Sequence, residues 1–456
     1  MRTTGFRSMV LYLLLAAFLG GLGYLLVNLF LHGGQWAMQP YNGHLNSENS
    51  TVTLGDITDR NGNLLATTQE GARIYSPDET VRRSLLHTVG DPYGYISTSV
   101  QSTMRGKLSG YNLITGLNDT FFNRMGSDIS LTVDQNACAA AYNALGGKNG
   151  AVLVYNYKTG EVLAKVSAPT FDPNAVPEDI ETNEAYKGAY LDNTLSGSFT
   201  PGSIFKVVTA AAAMEKYPDT WSSLSYDCQG SVTLGESTVT CLHGNAHGTQ
   251  DLAAALGNSC NVYFAQLAND LGAEALQQKA EEMGFNTQLD FSGISVSQST
   301  IDLSGANANE LGWAGVGQYT VLSNPYHMMV LMGAIANGGT YVEPKLTQDS
   351  GLLEGLSSGD RTLVTSTEAQ NLKTLLRTNV ESYYGDWLFP AGMNVCAKTG
   401  TGEVGEGKGP NCWMVGFCDS TVTPYAFAVV VEEGGSGAGA AGNVAAQVLN
   451  ALVNGY

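Results

Sequence analysis

From Met9 to Leu31 the chain carries no charged residue. The run is rich in Leu, Ala, Phe and Gly, and it is long enough to cross a bilayer as one helix. Arg2 and Arg7 precede it and only His32 follows closely. The bias of basic residues toward the cytoplasmic side predicts a cytoplasmic N-terminus with the remainder outside. A cleaved signal peptide has a shorter apolar region, about 7–15 residues, ahead of a small-residue cleavage site. The length here favours a retained anchor. Either reading exports everything after residue 32.

Export permits disulfides. The seven cysteines are Cys138, Cys228, Cys241, Cys260, Cys396, Cys412 and Cys418, an odd number that leaves at least one unpaired in a monomer. Cys228 and Cys241 flank a Gly/Ser/Thr-rich stretch that reads as a surface hairpin, and they are the best candidate pair. Seven reduced, mostly buried thiols is the other reading, and spacing does not choose between them. No CxxC occurs, which argues against a zinc ribbon or finger. The chain has 456 residues, enough for two or three domains. Its formal net charge is −19, the wrong sign for nucleic acid or for docking on anionic lipid.

Along the chain, residues 33–54 read as a polar linker. Gly55–Ala66 predicts two short strands around the Asn61-Gly62 turn. Ser130–Asp134 reads as a strand and Gln135–Leu145 as a helix. Ala151–Tyr155 and Glu161–Val166 predict a hairpin closed by Lys158-Thr159-Gly160. Pro201-Gly202 then breaks the chain before an apolar, Ala-rich helix over Ser203–Glu215. Further helices are predicted near Asp251–Leu256, Cys260–Leu271 and Pro325–Ile335, with strands at Met393–Thr399, Cys412–Cys418 and Tyr425–Val431 and a last helix at Asn443–Val453. The outline is α+β: an antiparallel sheet drawn from both ends of the sequence, flanked by helices, with an all-helical insertion between.

Ser203 and Lys206 are three apart at the start of a helix, so they share a face. A serine hydroxyl is a poor nucleophile until a base takes its proton. A lysine serves as that base only if its pKa is lowered, which an apolar surrounding does. Alone, Ser203 reads equally as a helix N-cap, and a lone Ser-x-x-Lys is weak. Lys206, however, lies between Phe205 and Val207 in a helix with almost no polar face, a poor place for a surface lysine. Ser259-Cys260-Asn261 stands at another helix start, where an N-cap is again the plain reading. Lys398-Thr399-Gly400-Thr401 ends an apolar strand, where a lysine is costly unless an anion meets it. The other Lys-Thr-Gly, at residues 158–160, occupies a hairpin turn where Gly needs no further explanation.

Ser-x-x-Lys, Ser-x-Asn and Lys-Thr-Gly, in that order, form the signature of penicillin-binding proteins and class A β-lactamases. With these residues the chain resembles a class B penicillin-binding protein, the monofunctional D,D-transpeptidase of peptidoglycan synthesis. Thr200–Lys206 is a very close match to the family's nucleophile segment. Gly55–Ala66, Gly150–Asn174, Gly315–Gln318 with Asn324-Pro325, and Ile335–Gly339 resemble further landmarks, so the likeness covers nearly the whole chain. It implies a serine β-lactamase/transpeptidase-like domain over 146–456, a small non-catalytic module over 33–145, and a cytoplasmic tip with transmembrane anchor over 1–32. It implies Ser203, Lys206, Ser259 and Lys398 as catalytic residues, with Asn261, Thr399, Gly400 and Thr401 binding substrate, and no metal or organic cofactor. Backbone N–H groups of Ser203 and Thr401 would form the oxyanion hole. Cys260 would lie near the site. The implied partners are peptidoglycan stem peptides, β-lactams and a polytopic glycan polymerase; the implied location is a single-pass cell-membrane protein with its catalytic domain extracellular. Two other readings stay open: a D,D-carboxypeptidase or β-lactamase-like hydrolase, and a catalytically silent scaffold or β-lactam sensor.

Overall fold

The computed structural model describes residues 2–37, 53–110, 126–348, 361–405 and 407–455. The N-terminal helix runs Arg2–Ala37, and its stretch Phe6–Leu29 has the length and hydropathy of a membrane span and is not buried against the protein. It extends past the expected start of the linker at residue 33. Gly33 and Gly34 weaken a helix by about 1 kcal/mol each but keep their N–H donors, and the first proline is Pro40. Residues 38–52 of the expected linker lie outside the described residues.

Strands β1 (Ile57–Thr58), β2 (Leu64–Gln69), β3 (Ala72–Tyr75) and β4 (Ile129–Ser130) form one sheet in the order β3-β2-β1-β4. The predicted turn between β1 and β2 is organised by Asp59, whose carboxylate accepts from the N–H groups of Asn61 (2.9 Å) and Asn63 (2.8 Å). Gly62 at φ 81° takes the left-handed position there. The helix Gln135–Leu145 falls where expected, capped by Asp134.

Strands β5 (Gly150–Asn156) and β6 (Val162–Ala168) pair with strands from the far end of the chain. These are β15 (Val395–Gly402), β16 (Asn411–Cys418) and β17 (Tyr425–Val431). The five run antiparallel in the order β15-β16-β17-β5-β6. Every residue of β16 and β6 is buried, so the sheet is covered on both faces. The helices Gln135–Leu145 and Ala441–Asn454 pack on each other and on the sheet, while Pro325–Ala336 packs on β5, β16 and β17. A Cβ at Gly333 would stand 1.7 Å from the Tyr155 hydroxyl, so only glycine lets that helix lie this close to β5.

The segment between β6 and β15, for which the pattern predicts helices throughout, is not all helical. Its described residues carry four two-stranded ladders, β7 (Ser225–Cys228) with β10 (Gly248–Asp251), β8 (Ser231–Leu234) with β9 (Ser237–Thr240), β11 (Leu289–Phe291) with β12 (Ile294–Val296), and β13 (Thr340–Tyr341) with β14 (Arg361–Thr362). Ser, Thr and Val in Ser231–Thr240 suit a half-exposed ribbon better than a helix. This ribbon is the hairpin expected between Cys228 and Cys241. The two cysteines are brought together, with sulfurs 3.7 Å apart, but both are thiols. Cys396 and Cys412 lie on the adjacent strands β15 and β16 but do not face each other. Cys396 lies opposite Phe417, and Cys412 lies opposite Thr401.

Candidate active site

The nucleophile segment begins as a 3-10 turn, Gly202–Phe205, and becomes an α-helix only at Lys206–Lys216. The expectation of one α-helix from Ser203 is corrected in this detail, and the correction matters. In a 3-10 turn residues three apart eclipse one another. The Lys206 amine accordingly sits 3.0 Å from the Ser203 hydroxyl. Glycines let this turn lie against β15. A Cβ on Gly202 (φ 54°) would stand 2.2 Å from the Thr401 carbonyl oxygen, and one on Gly400 would stand 2.6 Å from that of Pro201. The Trp413 indole N–H, on β16, donates to the Thr200 carbonyl at 3.0 Å and ties the approach to the turn.

The second segment arrives from the helix Leu252–Gly257. Ser259 adopts φ 54°, a left-handed conformation costly for a residue with a Cβ. The turn aims both the backbone and the side chain of Ser259 at Lys206, with the amine 2.6 Å from the Ser259 carbonyl oxygen and 3.3 Å from its hydroxyl. Cys260 then caps the helix Asn261–Leu271 through its sulfur, so the N-cap belongs to Cys260 and not to Ser259. Asn261 accepts from the Lys206 amine through Oδ1 (2.7 Å) and donates through Nδ2 to the Thr240 carbonyl (2.8 Å).

The third segment is β15. The Lys398 amine lies 3.1 Å from the Ser259 hydroxyl and 2.9 Å from the Thr399 carbonyl oxygen. Thr399 and Thr401, two apart on the strand, share a face and are half-buried. Ser203, Lys206, Ser259, Asn261 and Lys398 thus form one hydrogen-bonded cluster, with Thr399, Gly400 and Thr401 along its edge. Lys158 of the hairpin copy is elsewhere, its amine on Asn337 at 2.7 Å.

Tyr384 was not anticipated. Its hydroxyl lies within hydrogen-bonding reach of the Lys398 amine (3.4 Å), the Thr399 N–H (3.3 Å) and the Thr399 hydroxyl (3.2 Å). Nothing local in Glu381-Ser382-Tyr383-Tyr384-Gly385 marks it; only the folded chain brings it to the strand.

Both lysines are fully buried, whereas Ser203, Ser259 and Asn261 are partly accessible. Burial pushes the Lys206 amine well below its ordinary value, and the like charge of Lys398 pushes it further. Burial alone brings Lys398 down to about 7. No carboxylate contacts either amine among the hydrogen bonds and ion pairs of the described residues. A partly accessible alcohol, backed by an amine that prefers to be uncharged, is the constellation of a serine acyl-transfer site.

The wider comparisons agree. Residues 150–454 match the family model "Penicillin binding protein transpeptidase domain". The chain is 26% identical over 443 residues to the peptidoglycan D,D-transpeptidase PbpA of Mycolicibacterium smegmatis, covering 87% of this chain and 89% of that one. Penicillin-binding protein 3 of Bacillus subtilis is 28% identical over 64% of this chain and 46% of its own length. A penicillin G acyl-enzyme of penicillin-binding protein A from M. tuberculosis superposes with a TM-score of 0.75 at 25% identity, covering 89% of this chain and 99% of that one. A D,D-transpeptidase domain from Eggerthella lenta does so with 0.73 at 26%, covering 89% and 99%. The chain belongs to the penicillin-binding-protein transpeptidase family, and its features are those of class B.

Proposed function

We propose that the protein is a serine-type D,D-transpeptidase that cross-links peptidoglycan through an acyl-enzyme on Ser203. The observation that carries this reading is the 3.0 Å approach of a buried, charge-averse Lys206 amine to the hydroxyl of the partly accessible Ser203. Lys206 takes the Ser203 proton as Oγ attacks the carbonyl before a terminal D-Ala. Backbone N–H groups of Ser203 and Thr401 hold the oxyanion; loss of one such donor costs roughly 3–4 kcal/mol in comparable enzymes. As the C–N bond breaks, Ser259 relays a proton to the departing D-Ala amine, assisted by Lys398. The acyl-enzyme is then attacked by an amine of a neighbouring stem peptide, which loses its proton along the reverse route, and Ser203 recovers its hydrogen. Asn261 binds the donor's peptide amide. Thr399 and Thr401 hold its terminal carboxylate, with Gly400 letting the strand lie close. A β-lactam opens on Ser203 as a mimic of the donor.

The division into an anchor over 1–32, a module over 33–145 and a catalytic domain over 146–456 belongs to the same reading. So do a cytoplasmic N-terminus, an extracellular catalytic domain and a polytopic glycan polymerase as partner. The charge-free run after Arg2 and Arg7 supports the orientation.

The test is incubation with a stem-peptide thioester and a D-amino acid acceptor. Aminolysis product is expected. Hydrolysis alone would reject the transpeptidase reading in favour of a carboxypeptidase.

A further inference from the structure

Behind the Ser259–Asn261 turn, Cys228, Cys241, His247 and Cys260 bring one ligand atom each to within 4.8 Å of one another. Each comes from a different place in the fold. Cys228 is the last residue of β7, Cys241 follows β9, His247 precedes β10, and Cys260 caps the helix Asn261–Leu271. The Cys228 and Cys241 sulfurs are 3.7 Å apart, as are those of Cys241 and Cys260, and His247 Nδ1 is 3.4 Å from the Cys228 sulfur. We propose that these four side chains form a structural zinc site of Cys3His type that holds the Ser259-Cys260-Asn261 turn in place.

The distances decide between the readings. Tetrahedral zinc with Zn–S bonds of about 2.3 Å and a Zn–N bond of about 2.0–2.1 Å separates its sulfurs by about 3.8 Å and sulfur from nitrogen by about 3.6 Å. The three measured separations fall within a few tenths of these. A disulfide joins sulfurs at about 2.05 Å and uses two of the three, leaving a thiol and an imidazole behind. Three sulfurs and a ring nitrogen without charged oxygen ligands suit zinc, where calcium or magnesium would want oxygens. All three thiols are buried, with exposures of 0%, 4% and 0% for Cys228, Cys241 and Cys260. The Tyr263 backbone N–H donates to the Cys260 sulfur at 3.3 Å, a contact that favours a thiolate. Among the described residues, no other group of three or more His, Cys, Asp and Glu places its ligand atoms this close. The missing CxxC is no obstacle, because the fold collects the ligands from residues 13 and 19 apart.

Cys260 is a positioning residue in this account. Its neighbours Ser259 and Asn261 both contact the Lys206 amine, and Asn261 also binds the carbonyl of Thr240, next to Cys241. An ion holding Cys241 and Cys260 together clamps the β8–β9 ribbon to the catalytic turn. This consequence rests on the acyl-transfer reading; the site itself does not.

The experiment measures zinc in the full chain, purified in detergent without chelator or reductant. Close to one ion per chain is expected for the wild type and for the control Cys138→Ser, and roughly tenfold less for Cys228→Ser and for His247→Ala. Cobalt(II) exchanged into the wild type tests the site without relying on variants that fail to fold, and it is expected to show thiolate charge-transfer and tetrahedral d–d bands. Removing zinc from the wild type is expected to slow β-lactam acylation, with recovery on adding zinc back. Metal content at background, cobalt without thiolate bands, or a disulfide mapped among Cys228, Cys241 and Cys260 would each overturn the site. Bound zinc whose removal leaves acylation unchanged would overturn the clamping role. Bound zinc in a chain that no β-lactam labels would overturn the acyl-transfer reading and leave the site standing.

Discussion

Lys206 owes its chemistry to its surroundings. Fully buried, it faces Lys398, Ser203, Ser259, Asn261, the Phe264 ring and the thiols of Cys260 and Cys241. The first consequence is that replacing it by Met, which fills similar space, leaves the fold intact and slows acylation of Ser203 by about 10²–10⁴-fold, the usual worth of a positioned base. Stopped-flow acylation with a chromogenic β-lactam measures this. The second concerns pH. The charged Lys398 depresses Lys206, so acylation of the wild type rises with pH as Lys206 loses its proton. Lys398→Ala removes that repulsion and moves the rising limb of its residual activity to higher pH. A limb that stays in place would show that the two amines are not coupled. Tyr384 touches Lys398 and Thr399 through its hydroxyl. Tyr384→Phe is expected to slow acylation about tenfold, the worth of roughly one net hydrogen bond, while thermal stability changes little.

At the scale of elements, the site is the meeting of three pieces: a 3-10 turn, a left-handed turn before a helix, and the end of a strand. Gly202 is where two of them touch. Gly202→Ala would bring a Cβ to 2.2 Å from the Thr401 carbonyl oxygen in a left-handed conformation. The expected result is separation of the Ser203 turn from β15, with acylation lost and circular dichroism retained. These pieces also divide what the amino-acid sequence discloses from what it hides. Lys206 declared itself because a lysine in an Ala- and Val-rich helix has no polar face to occupy. Lys398 did so because it ends an apolar strand. The mostly apolar runs of β5, β6 and β17, buried on both faces, placed those strands to within a residue or two. The amphipathic helix Ser366–Asn379 carried a capping box from Thr365 to Glu368 and still escaped notice. The ladders between β6 and β15 are short and half-exposed, so their periodicity resembles that of loops. Tyr384 reaches the site only by tertiary packing, and the Cys228–Cys241–His247–Cys260 cluster has no local spacing to betray it.

Across the whole molecule, the N-terminal segment is fastened to the catalytic part by buried polar contacts. Arg82 makes a two-pronged pair with Asp172 at 2.7 and 2.6 Å, with both side chains about one-tenth exposed. Arg82→Ala strands Asp172 and is expected to lower stability by about 3 kcal/mol in denaturant unfolding, because one partner of a nearly buried pair is left alone. His87 is buried and its Nε2 lies 2.9 Å from the Ala189 carbonyl oxygen. Burial pulls it down to about 4 despite Asp192 and Asp91 nearby, and Lys165 pulls in the same direction as burial. A folded value below the unfolded one means that the folded state resists protonation. Stability is therefore full above about 6.5 and falls as pH drops toward 4. His87→Gln is expected to flatten that part of the stability profile, and an unchanged slope would remove His87 as its source.

Every role proposed above depends on Ser203 being the nucleophile of acyl transfer. The most direct test is the intact mass of the full chain before and after exposure to penicillin G, with the adduct located by peptide mapping. One added penicilloyl group is expected, on the peptide containing Ser203, and none on Ser203→Ala. An adduct on another residue, undiminished labelling of Ser203→Ala, or no covalent adduct on the wild type would contradict it.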